Sequence, residues 1–134
     1  MFLNMLTTPE KEAFLAIANA VAKANGFVDE KEQFLLDQYI HEMNMDHVDV
    51  SQIRNIPLED GIAKIESDKS KRIIFLEACA LAFSDDIFDE EQKTIINKLR
   101  KAFAVSEEHY KEYKQWLLDM NQLYARGYRL IAEE

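Results

Sequence analysis

The chain states one pattern twice. Leu15 to Asp46 aligns without a gap against Phe75 to Ser106, at an offset of sixty residues. Each copy holds an Ala-rich apolar stretch, a tight acidic turn and a second stretch with apolar residues at helical spacing. The first turn reads Ala24-Asn25-Gly26-Phe27-Val28-Asp29-Glu30-Lys31-Glu32, and the second Ser84-Asp85-Asp86-Ile87-Phe88-Asp89-Glu90-Glu91-Gln92. Ala18, Ala20, Ala22, Asp29 and Glu30 meet identical residues in the second copy. Two helical stretches joined by a short turn make a helical hairpin, and self-similarity at a fixed period is the mark of a repeated unit. The pattern predicts an all-α single domain over residues 1–134, of six or seven helices. Repeat 1 spans about 9–46, repeat 2 about 69–106, and a C-terminal helix about 106–126.

Bulk properties agree. A chain of 134 residues supports one real core. Three Gly and two Pro are too few for the many turns of an all-β fold. The net charge is −9, and neither half is basic: residues 1–67 net −7 and residues 68–134 net −2. No nucleic-acid partner is expected of such a surface; the acidity suits a protein that handles cations. The single cysteine, Cys79, lies in an apolar run, reads as a small core residue, and fits a reducing, cytoplasmic compartment. The start Met1-Phe2-Leu3-Asn4-Met5-Leu6 lacks the basic lead of a signal peptide. The longest apolar stretch, Ile73 to Phe83, is eleven residues broken by Glu77, too short to span a bilayer.

Local signals set the expected elements. The first helix is expected to start at Thr8, with Pro9 in the first helical position. Asn25-Gly26 ends it, Gly26 taking positive φ. Asp29 and Glu32 have capping-box spacing for the second helix, and Asn44 is its left-handed stop. A third helix is expected from Leu58 to about Ser67, weakened by Gly61. The fourth, about 70–83, is apolar nearly all round and hence central. The fifth starts at Asp89, with Gln92 completing its box. Ser106 caps the sixth, and Gly127 is expected to end it.

Two sets of side chains are candidate sites. Asp85, Asp86, Asp89, Glu90 and Glu91 crowd five carboxylates into seven residues. A hard divalent cation relieves such repulsion, although acids at a helix start also serve its dipole and cap. The spacing is not that of an EF-hand, since Ile87, Glu90 and Ile96 fall where that loop needs an oxygen ligand, Gly and Glu. Glu77, the one charge between Ile73 and Phe83, joins this metal set at i+8 before Asp85. The second set is aromatic: Trp116 and Tyr113 on the sixth helix are expected to bind a partner protein, against the plainer reading of such a stripe as core. His41, His47 and His109 are scattered, and no nucleophile–base pair is visible. The chain therefore reads as non-enzymatic, with no cofactor expected beyond a divalent cation.

The Ala-rich helix, the Asn25-Gly26 turn, Val28 two beyond the Gly and Glu32 closing the acids resemble the TerB-like family. So do Asp85, Phe88, Asp89, Glu90 and Glu91 in the second copy. That family includes tellurite-resistance proteins and the N-terminal domain of a membrane-anchored DnaJ-like co-chaperone. The resemblance implies an all-helical domain of two related halves. It implies a stress-linked role at or near the inner face of a bacterial membrane, and divalent metal binding through the acidic turns. This chain departs from the pattern at Asn25 (Asp in the family), Asp86 (Gly) and Gln92 (Glu), so each turn lacks a carboxylate that a metal site would use. No His-Pro-Asp of a J-domain is present.

Overall fold

A computed structural model describes the chain except for residues 25, 27, 50, 84–89 and 134 and the side chain of residue 54. The described residues form six α-helices and two short 3-10 turns, with no strand among them. They fall into two compact units, Met1–Ala104 and Val105–Glu134.

The first unit holds α1 (Thr8–Ala22), α2 (Glu30–Glu42), α3 (Leu58–Ala63), α4 (Asp68–Ala82) and α5 (Glu90–Ala102). The 3-10 turns cover Leu3–Met5 and Ile53–Asn55. The helix bounds recur at the sixty-residue offset: α1 and α4 are fifteen residues each, α2 and α5 thirteen each. The helix stops recur too. Asn44 and Ala104, also sixty apart, both take positive φ, 58° and 54°.

Helices α1 and α4 pack on each other, and α1 also meets α2, α3 and α5. Both are buried on almost every side because both are apolar on almost every side. Phe14, Ile17, Ala18 and Val21 of α1 and Ile74, Phe75, Ala78, Cys79 and Leu81 of α4 have no exposed surface. Alanines in both helices let backbones approach closely. Gly61 extends that to α3, where an added Cβ would stand 3.3 Å from the Ala13 carbonyl oxygen and 3.4 Å from Ile17 Cγ1. The residue that weakens α3 by propensity is the one that lets it lie on α1.

Several local expectations shift. The cap of α1 is Thr7, not Thr8: the Glu10 N–H donates to the Thr7 hydroxyl and the Thr7 N–H donates to the Glu10 carboxylate at 2.9 Å. Pro9 then falls in the second helical position, still within the turn whose N–H groups have no helical partner. Helix α3 stops at Ala63 rather than near Ser67, because Ser67 is taken as the cap of α4 and accepts from the Ser70 N–H. The Asp29–Glu32 box of α2 forms as expected. The start expected for α5 at Asp89 lies outside the described residues.

The second unit is α6 (Glu107–Ala132), capped by Ser106, which accepts the His109 N–H at 3.1 Å. It runs through Gly127, the expected end. One interior glycine costs about 1 kcal/mol, and the helix formers Ala125, Arg126, Arg129 and Leu130 surround it. Gly127 does not take positive φ, so it makes no stop.

Candidate functional site

The carboxylates divide into a buried group and an exposed one. In the first unit, Glu77 and Glu32 are buried at 0% and 2% exposure. Glu77 points from α4 at the N-terminal 3-10 turn. It accepts the Phe2 N–H at 3.2 Å and lies 3.1 Å from the Met1 amino nitrogen. Glu42, the last residue of α2, accepts the Leu3 N–H at 2.9 Å and pairs with Met1 at 2.8 Å. A 3-10 turn has N–H groups without internal partners at its start, and two carboxylates from two helices satisfy them. This is structural chemistry: it docks Leu3 and Leu6, exposed 0% and 5%, onto the bundle. Burial holds the Glu77 carboxyl above its ordinary pKa, against the opposing pull of the Met1 amine and the Phe2 N–H; the neighbouring Glu42 pushes it further up. The Tyr39 hydroxyl donates to the Glu77 carbonyl at 3.4 Å, and burial next to these two acids raises the Tyr39 pKa.

Glu32 has a different partner. Gln92 Nε2 donates to its carboxylate at 2.7 Å, a bond between positions sixty residues apart. The third helical residues of α2 and α5 therefore touch, and the starts of the two helices lie together. Burial is the largest cause raising the Glu32 pKa, opposed first by the Asp29 N–H.

The acidic candidates of the second turn are not gathered by anything described. Asp85, Asp86 and Asp89 lie outside the described residues. Glu90 is exposed and pairs with Lys93 at 3.2 Å, and Glu91 is exposed. Among the described residues, no three His, Cys, Asp or Glu side chains form a set that could hold a metal ion. Cys79 is buried, as expected of a core residue.

The aromatic candidates sit on α6. Trp116 is 42% exposed, and Tyr113 is half-buried with its ring stacked on His109 at 6.4 Å. Beyond them, Leu123, Tyr124, Tyr128, Leu130 and Ile131 are exposed by 60–83%. They continue the spacing of Tyr110, Tyr113, Leu117 and Met120 by threes and fours. The sequence carries this signal past Gly127, but ending the helix there breaks it. A helix face with so many large apolar side chains in water is uncommon outside interaction sites.

No helix among the described residues is long and apolar enough to cross a membrane. Comparison of the chain with protein-family models, curated proteins and solved structures gives no match.

Proposed function

We propose that this chain is a non-enzymatic, TerB-like helical module that works by binding a protein partner. Its setting is a bacterial stress response of the tellurite-resistance kind, on the cytoplasmic side of the membrane. The observation that carries the reading is the exposed aromatic and aliphatic run of α6 from Trp116 to Ile131. Tyr and Trp are favoured interface anchors because they carry large apolar area with few rotatable bonds. The TerB-like assignment rests on the turn residues, together with helix bounds and stops that recur at sixty residues. A photo-cross-linking residue placed at Trp116 should give one discrete adduct in cells, lost on Tyr124→Glu. Cells that yield no adduct above background, with or without tellurite, would refute the reading.

A second reading, a divalent-cation sensor or sequestering protein built on Asp85, Asp86, Asp89 and Glu90, is favoured by the Glu32–Gln92 contact. That contact brings the starts of α2 and α5 together, and with them the ends of both acidic turns. Thermal unfolding with Ca²⁺, Mg²⁺, Mn²⁺ or Zn²⁺ against EDTA separates the readings. A cation at a hundred times its dissociation constant adds about 2.7 kcal/mol. No shift at millimolar concentrations removes the cation reading and leaves the first.

A further inference from the structure

We infer that the C-terminal half of α6 pairs antiparallel with the same segment of a second copy of this chain, each Tyr124 ring filling the notch at Gly127 of the other. The inference rests on the partner-binding reading of α6 and names the partner.

The apolar positions of α6 keep a seven-residue register. Tyr113, Met120 and Gly127 form one series, Leu117, Tyr124 and Ile131 a second, and Trp116, Leu123 and Leu130 a third. Series that hold this register from residue 113 to residue 131 suit a helix whose partner is another helix. The third series widens the face on one side. Arg126, Arg129 and Gln122 fall on the opposite side, so the two arginines do not oppose each other across the pairing.

The stripe has one gap. A Cβ built on Gly127 would meet nothing within 4 Å, while Tyr124 one turn earlier and Tyr128 beside it are 64% and 71% exposed. A parallel pair would set glycine on glycine and tyrosine on tyrosine, leaving a void in one layer and crowding in the next. An antiparallel pair centred between Ala125 and Arg126 sets Tyr124 opposite Gly127 of the second copy, twice. It also sets Met120 opposite Ile131 and Leu123 beside Leu130, with Tyr128 on the other flank near Asn121. Every strongly exposed apolar side chain of the segment then has a counterpart, and large residues meet small ones as close packing requires.

The area suffices. Aromatic side chains bury about 150–250 Å² each. Tyr124 and Tyr128 supply two such areas and Leu123, Leu130 and Ile131 add to them, for a total on the order of 600 Å² per copy, at the lower end of the standard interface class.

Light scattering after gel filtration tests the pairing. The wild type should show twice the 15.6 kDa chain mass at high concentration and dissociate on dilution. Gly127→Leu favours the helix but fills the notch, and should weaken the dimer at least tenfold with helix content unchanged or higher. Ile131→Glu should do the same. A dimer that Gly127→Leu tightens overturns the inference, as does a wild type that stays monomeric at 200 μM (roughly a hundredfold above a micromolar dissociation constant). In the monomeric case two further measurements assign the face. A cross-linked heterologous partner lost on Tyr124→Glu keeps the partner reading while the pairing fails. Pelleting with phosphatidylglycerol vesicles assigns the face to lipid, and neither result removes both.

Discussion

Glu77→Gln should leave the protein at least as stable as wild type at neutral pH, although it removes a buried charge that faces an amine. Ionised Glu77 gains the Met1 amine at 3.1 Å and the Phe2 N–H at 3.2 Å, yet its pKa lies above the ordinary value because burial outweighs both. The folded state therefore binds more protons than the unfolded one between the ordinary carboxylate pKa and the raised one. Stability then falls as pH rises through that window and is flat above it, with a slope of at most about 1.4 kcal/mol per pH unit for one group. Glutamine keeps an acceptor for the Phe2 N–H and has no such slope. The difference between variant and wild type should be near zero at the acid end and should grow in favour of Gln towards pH 7. Taking the difference cancels the general self-repulsion of a chain of charge −9. Glu77→Ala is the contrast: it takes from the part-buried Phe2 N–H the Glu77 acceptor, at about 1–3 kcal/mol, and opens a cavity, at every pH. Urea titrations from pH 4 to pH 8 at fixed ionic strength read all three proteins. A Gln variant that loses stability relative to wild type as pH rises would show that the amine outweighs burial, and would refute the argument.

Three more outcomes follow from particular contacts. Gln92→Glu places a second carboxylate 2.7 Å from Glu32, where both cannot ionise. It should cost several kcal/mol at pH 7 (roughly 3–5 for an uncompensated buried charge) and recover on acidification, as read by thermal unfolding against pH; a pH-independent loss would contradict it. Gly61→Ala gains about 1 kcal/mol of helix propensity but presses on the Ala13 carbonyl oxygen at 3.3 Å, where overpacking costs about 1–3 kcal/mol. A net loss near 1 kcal/mol in urea is expected, and a gain would show that α1 yields. Ala104→Gly relieves a left-handed alanine at φ 54° and should stabilise by about 0.5–1 kcal/mol, while Asn44→Gly changes little because asparagine tolerates that conformation; equal effects at both sites would remove the strain argument.

Most helices of the first unit are legible because each signal is local. Apolar spacing, an Asp29–Glu32 box and an asparagine stop act within four or five residues, and packing did not override them. The end of α6 was not legible from Gly127 alone, since a glycine's cost is small against its helix-forming neighbours. Helix α1 starts at Thr8 as the sequence predicts, but Pro9 takes the second helical position because the reciprocal bonds with Glu10 make Thr7 the cap. The sequence marks Glu77 as the one charge between Ile73 and Phe83, but does not decide between a solvated strip and burial with a partner. Its partners, the Met1 amine and the Phe2 N–H, are not legible, because residues 1, 2 and 77 carry no common spacing. The acidic turn at 85–89, which drew most of the metal reading, lies outside the described residues.

In sequence, Gln92 is the place where the second copy falls short of the first, a lost acid in a turn already missing its glycine. In the fold it faces Glu32, its own counterpart sixty residues earlier, across a buried 2.7 Å hydrogen bond. Two hairpins of one sequence brought together in this way would set glutamate against glutamate, and two carboxylates at that distance cannot both be charged. An amide on one side turns the same contact from repulsion into a charge-assisted hydrogen bond. The amide at Gln92 is what lets the two helix starts meet through a buried hydrogen bond. The inequality of the two copies is therefore a packing requirement at residues 32 and 92. A cation reading of the acidic turns has to draw its ligands from residues other than this pair, both of which already spend polar atoms on each other.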